Sequence, residues 1–174
     1  MILSPPEPIN SSHDLLDFNS SRSDLDSWLR HRAVQNHTRG FSRCFVVCDQ
    51  SVTPQNPIIG FYTLSAGSIE RKMMPKSIQR NAPGQIPVLL LGMLAVDQRY
   101  QHRGIGTRLL RHAILRAAVV YDHIGFSAIM LHAIDESVKP FYHAYGFIAS
   151  PVSALTLLMP MTMVHAATGS TTLS

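Results

Sequence analysis

The chain of 174 residues has only two cysteines and one tryptophan. Cys44 and Cys48 lie four apart in an apolar stretch that reads as a strand, which separates them by ~13 Å, too far for a disulfide. Their spacing also misses the usual zinc pairings. Both are expected to be small core residues. The nine histidines are scattered without a ligand pattern, so no metal is expected. No apolar run reaches the ~18 residues of a membrane span, and no association with a membrane is expected. Met1-Ile2-Leu3-Ser4-Pro5-Pro6 lacks a basic region and a long apolar stretch, so a secretory signal is not expected either. A cytoplasmic location follows as the expectation. Charged residues are few, 15% against 45% hydrophobic, which argues for a globular chain rather than a disordered one. There are no internal repeats. The length favours one domain with a substantial core, expected over 1–164, with 165–174 as a small, polar, flexible tail.

Two further absences concern chemistry. A P-loop would need Gly-x-x-x-x-Gly-Lys-Ser/Thr, and no glycine lies five residues before Gly106. A dinucleotide fingerprint would need a third glycine, where Leu109 stands. What is present is an apolar strand, Val88 to Val96, expected to be fully buried. It is followed by the turn Gln101-His102-Arg103-Gly104-Ile105-Gly106 and at once by an amphipathic helix. A helix start presents N–H groups without internal partners, and glycine lets an anion approach them. The remaining pattern is Gln/Arg-x-x-Gly-x-Gly/Ala after a strand. Here it resembles the acetyl-CoA site of the GNAT acetyltransferases.

The rest of the chain is compatible with that arrangement. Ile2 to Ile9 forms a short first strand. Ser23 is the expected N-cap of a helix with acids in its first turn; Leu25, Trp28, Leu29 and Ala33 recur at helical spacing and Gly40 ends it. Cys44–Cys48 and Ile58–Ser65 form a hairpin. Residues 71–85, polar and proline-broken, form a loop, alone or with a turn of helix in it. In the helix from Gly106 to Tyr121, Leu109, Leu110, Ala113, Ile114, Ala117 and Val120 face inward, whereas Arg108, His112 and Arg116 face out. Ser127–Ala133 is a buried strand. Asp135-Glu136 opens a short helix that carries Phe141-Tyr142, with Pro140 clouding its start. Leu155–Met163 is a last strand, an edge or bulged one because of Pro160. The fold class is therefore a mixed α/β sheet with the ligand near its middle.

Within the GNAT superfamily the chain resembles the TacT-type toxins of toxin–antitoxin operons. The resemblance rests on Leu25-Asp26-Ser27-Trp28-Leu29, Ile59-Gly60-Phe61-Tyr62-Thr63-Leu64, Leu94-Ala95-Val96-Asp97, the turn, and His132-Ala133-Ile134-Asp135-Glu136 leading to Phe141-Tyr142-His143-Ala144-Tyr145-Gly146-Phe147. It implies a GNAT fold and transfer of acetyl from acetyl-CoA to the α-amino group of aminoacyl-tRNA, blocking translation. It also implies a neutralising ribbon-helix-helix antitoxin, operator DNA reached only through the antitoxin complex, and a homodimer. The backbone of Leu94, Ala95 and Val96 would bond the pantetheine arm. Gln101, His102, Arg103, Gly104, Ile105, Gly106 and Thr107 would hold the pyrophosphate. Asp135 and Phe141 would line the cofactor, Asp135 competing with a role as a plain helix cap. Tyr142, the implied catalytic residue, would protonate the departing CoA thiolate. Where many members carry Arg, this chain has Met93.

The strand from Val88 to Val96 has no carboxylate before Asp97 and so offers no general base. A lysine amine, pKa ~10.4, needs a base at neutral pH, whereas an α-amine, ~7.7–8.0, is already partly neutral. The missing base thus fits an α-amino acceptor better than a lysine. Two other readings stay open: a GNAT enzyme acting on a small amine or protein N-terminus, and a weakly active CoA-binding member serving operon regulation. The net charge of +4 arises from clusters at 30–43, 71–80 and 99–116, consistent with attraction to a phosphate backbone.

Overall fold

A computed structural model describes residues 1–168. In chain order the elements are β1 (Glu7–Pro8), α1 (Ser23–His31), α2 (Ala33–Arg39), β2 (Arg43–Cys48), β3 (Ile58–Glu70), α3 (Lys76–Gln79), β4 (Gln85–Val96), α4 (Ile105–Tyr121), β5 (Ala128–His132), α5 (Lys139–His143), β6 (Ile148–Ser150), β7 (Ser153–Pro160) and α6 (Met161–Thr168). The strands form a seven-stranded sheet in the order β1-β2-β3-β4-β5-β7-β6. β2 and β3 pair antiparallel, as the hairpin expectation requires, and β4 pairs parallel with β5. A parallel pair needs a long crossover, which the helix α4 supplies. The mixed α/β expectation is borne out.

The described residues group into two compact units, 1–65 with 91–113 and 66–90 with 114 onward. In the first, Leu29 and Ala33 pack with Cys44, Ile58 and Phe61. Phe18 meets Phe61 edge-on at 5.5 Å between ring centroids, and Trp28 stacks on Phe61 at 6.1 Å. Both cysteines are buried here as free thiols. In the second unit the core is built from Ile69, Met74, Ile86, Val88, Met130 and Leu158. Each such side chain contributes roughly 1.5–3 kcal/mol by leaving water.

Several local expectations are corrected. Arg22, not Ser23, occupies the N-cap position of α1, and no side chain caps it. The buried Asp26 instead reaches back to accept from the Ser20 backbone N–H at 2.9 Å and its hydroxyl at 2.6 Å. The single helix expected from Ser23 to Gly40 is broken at Arg32, whose φ of −126° is non-helical; Gly40 does end the second piece, at φ +78°. β4 is not fully buried. Gly92 is exposed, and Met93, Leu94 and Val96 are half-buried, with Ala95 buried between the last two. β7 is flanked by β5 and β6 rather than lying at the edge. Pro160 is its last residue, where a lost ladder donor matters least, and the chain then turns helical. The helix α6 takes in residues 165–168 of the expected tail; residues 169–174 lie outside the described residues.

Gly60 on β3 carries a packing constraint. A Cβ there would stand 2.9 Å from Leu109 Cδ1 and 3.3 Å from the Ala95 carbonyl oxygen. Leu109 is fully buried, so its displacement is resisted by close-packed neighbours. Gly60→Ala should therefore destabilise by about 1–3 kcal/mol, read as a fall in Tm of about 2–4 °C per kcal/mol. An unchanged Tm would contradict this packing.

Candidate active site

The site residues expected in the first unit follow one another along the backbone. Gly92 has no side chain between its backbone and Thr63, whose Oγ1 would lie 2.9 Å from a Cβ at that position. The Thr63 hydroxyl accepts the Met93 N–H at 3.1 Å. Met93 itself packs as a partly buried apolar residue against the first unit's core. Leu94 and Val96 follow half-buried on either side of buried Ala95.

The turn after β4 holds its shape through two left-handed residues, His102 at φ +59° and Gly104 at φ +78°. Such turns aim successive N–H groups to one side. The helical ladder begins with Arg108 N–H donating to the Gly104 carbonyl at 3.1 Å, so the N–H groups of Ile105, Gly106 and Thr107 stand ahead of it at the helix start. These amides open a helix of 17 residues, so the positive end of its dipole adds to them. The arrangement is built to receive an anion.

The side chains of the turn are largely engaged elsewhere. Gln101 Nε2 donates to the Val96 carbonyl at 3.0 Å and the Ser20 carbonyl at 3.3 Å, so it braces the turn rather than reaching out of it. The Arg103 guanidinium lies over the Tyr100 ring, 5.7 Å from its centroid. The backbone, not these side chains, presents the anion site.

In the second unit, Asp135 caps the short 3-10 turn Glu136–Val138, accepting the Ser137 N–H at 2.8 Å; its capping role is the one the structure displays. Phe141 and Tyr142 both lie on α5. Pro140 falls in the first turn of that helix, where no N–H is needed, so it does not disturb the placement of Tyr142. The Tyr142 ring meets Phe141 at 5.0 Å and Phe147 at 5.8 Å, both edge-on. Tyr142 is half-buried, and burial pushes its phenol up to about 12.

Two histidines depart from expectation. His112 does not join Arg108 and Arg116 on the exposed face. It is half-buried, its Nδ1 sharing a hydrogen bond of 2.6 Å with the Tyr62 hydroxyl, and its ring packs edge-on against Phe45. His13, expected to belong to no ligand pattern, lies with Glu7 and Cys48 such that their ligand atoms fall within 4.8 Å of one another. The tautomer argues against a metal centre. His13 Nδ1 accepts the Asn10 N–H at 3.0 Å, which in a neutral ring leaves the proton on Nε2, facing Glu7 Oε1 at 3.5 Å. Burial also raises the Cys48 thiol to about 11, away from the thiolate a metal needs.

A family model described as the acetyltransferase (GNAT) domain matches residues 40–149. The chain is a GNAT acetyltransferase. The tRNA-acetylating toxin of Mycobacterium tuberculosis (strain ATCC 25618 / H37Rv) is 40% identical to this GNAT protein over 166 residues, spanning 95% of this chain and 97% of the toxin. The probable toxin TacT of Sinorhizobium fredii is 27% identical, over 97% of this chain and 95% of its own. The solved structure of AtaT complexed with acetyl-methionyl-tRNAfMet matches with a TM-score of 0.87 at 26% identity, covering 97% of this chain and 100% of AtaT. The expected kinship with TacT-type toxins is borne out. Among the described residues of this GNAT chain, no helix is long and apolar enough to cross a membrane.

Proposed function

We propose that the chain transfers the acetyl group of acetyl-CoA to the α-amino group of an aminoacyl-tRNA and so blocks translation. The observation that carries the donor half is the turn with left-handed His102 and Gly104 that leads straight into the N-terminus of α4, which fits a pyrophosphate. The acceptor half rests on the tRNA-acetylating relative of 40% identity.

In the reaction the free amine attacks the thioester carbonyl, the C–N bond forms, the C–S bond breaks, the amine's proton passes to water, and water returns one to the Tyr142 phenolate left once the thiolate has been protonated. The thiolate takes its proton from the Tyr142 hydroxyl, which burial keeps in its acid form. The open backbone of Leu94 to Val96 receives the pantetheine arm as an added strand would. The amides of Gln101 to Thr107 hold the pyrophosphate, and Asp135 and Phe141 border the cofactor.

Exposed Arg32, Arg39 and Arg43 supply positive charge for an RNA backbone, and Arg39 lies over exposed Phe41, 4.7 Å from its ring centroid, a pairing suited to nucleic acid. A ribbon-helix-helix antitoxin, operator DNA reached through that complex, a homodimer and a cytoplasmic location complete the reading, with 1–164 as the catalytic domain.

The test incubates the protein with labelled acetyl-CoA and charged tRNA, alongside polyamines and peptides. Label is expected on the α-amine of the aminoacyl ester. Label on polyamines or peptides, with charged tRNA untouched, would overturn the acceptor assignment in favour of a small-amine or N-terminal enzyme.

A further inference from the structure

Asp97, the first residue after β4, is fully buried and charged, and the reaction above gives it no task. Its carboxylate accepts the Asn19 N–H at 3.1 Å and the Arg99 N–H at 2.9 Å, and also Arg99 Nε at 2.9 Å and Nη2 at 2.8 Å. Burial opposes its charge, and these hydrogen bonds, led by the Arg99 side chain, outweigh that and hold its pKa below the ordinary carboxylate value.

The bonds do not stop at Asp97. Arg99 Nη2 continues to the Asp17 carbonyl at 3.0 Å. Gln98 N–H donates to the Asn19 carbonyl at 2.8 Å, and Gln101 Nε2 reaches the Ser20 carbonyl. Ser20 in turn donates through its N–H and hydroxyl to Asp26 in the first turn of α1. Residues 17–20 are thus fastened on one side to the start of the phosphate turn and on the other to α1, all within the first unit. A turn that holds two residues in the left-handed region needs its shape fixed from outside, and this network fixes it.

We propose that Asp97 is a positioning residue: it clamps residues 17–20 onto the anion-receiving turn, so that binding of acetyl-CoA at the turn is transmitted to α1. The inference rests on the donor assignment above.

The test uses Asp97→Asn and Arg99→Gln in the full chain, with acetyl-CoA alone as probe. Calorimetry reads its Kd, and hydrogen exchange reads residues 17–31 with and without it. Asn keeps the shape of Asp97 but turns an N–H2 toward donors or surrenders an acceptor. In the wild type, acetyl-CoA should protect both the turn and residues 17–31. Asp97→Asn should raise the Kd on the order of tenfold, about the effect of one hydrogen bond to a charged group, and abolish protection at 17–31. Arg99→Gln, which keeps the carboxylate's bonds to backbone N–H groups, should weaken that protection in part and carries the test if Asp97→Asn does not fold. A wild type in which acetyl-CoA protects the turn but not 17–31, or folded variants with unchanged Kd and unchanged protection, would overturn the proposal while leaving the donor assignment standing. A wild type that binds no acetyl-CoA would overturn both.

Discussion

Tyr142→Phe is expected to slow acetyl transfer by ~10²–10⁴-fold, the range for a lost general acid, while acetyl-CoA binding and the fold stay close to wild type. The substitution removes one oxygen and keeps the ring that packs edge-on against Phe141 and Phe147. Burial lifts the phenol to about 12, which keeps the proton in place at every ordinary pH. A phenol that weak gives its proton to a thiolate only if the thiolate is also held out of water, since desolvation raises the proton affinity of both anions. The pH dependence has a sign. A tyrosine whose folded pKa lies above the unfolded value of ~10 contributes stability that is complete below pH ~10 and declines as pH rises toward about 12. Tyr142→Phe should accordingly lose less stability than wild type across that alkaline window. Acetylation of charged tRNA by the folded variant at the wild-type rate would remove Tyr142 from the chemistry.

Gly104→Val is expected to weaken acetyl-CoA binding by about tenfold or more. Gly104 sits at φ +78° with open space where a Cβ would go, so the substitution meets no steric obstacle from the rest of the protein. Its effect falls on the backbone. A β-branched residue resists the left-handed region by roughly 1–2 kcal/mol, and about 1.4 kcal/mol is tenfold in an equilibrium constant. If the turn relaxes to relieve that strain, the amides from His102 to Thr107 no longer converge. Gly125→Ala is the matched control, with open space and an ordinary φ. Calorimetry with acetyl-CoA separates the two; equal affinities for wild type and Gly104→Val would show that the turn's conformation is not what binds the donor.

The parts of this molecule that could be read from sequence are those set by chain-local rules. The strand–turn–helix around Gln101 to Gly106 was legible because an apolar run, two glycines and a helical period adjoin. The hairpin of β2 and β3 was legible for the same reason. What escaped depends on partners distant in the chain. Nothing local marks Arg32 as a break in the first helix, and nothing in an Arg-x-x-x-His-x-x-x-Arg stripe says that its middle member meets Tyr62, 50 residues away. His13 meets Glu7 and Cys48 only once β1 lies on β2. Pro160 was read as the mark of an edge or bulged strand because a proline inside a sheet is disfavoured; it is the strand's last residue, β7 is not at the edge, and the register shift lies at Ala149 and Ser150 in the pairing with β6. Gln101 was expected to offer its backbone amide to the pyrophosphate, and nothing local says that its side chain ties the turn to Val96 and Ser20. An Asp two residues before an Arg was the one local hint of the Asp97 network, and it reads equally well as an ordinary surface turn.

The stacking of Trp28 on Phe61, with the rings within 10° of parallel, gives the protein a built-in optical reporter. The chain has no other tryptophan, so all indole emission arises from one site on α1, on the face that packs into the first unit's core. Any event that tilts that helix, from donor loading to the onset of unfolding, can be followed in the unlabelled protein as a change in a single fluorophore.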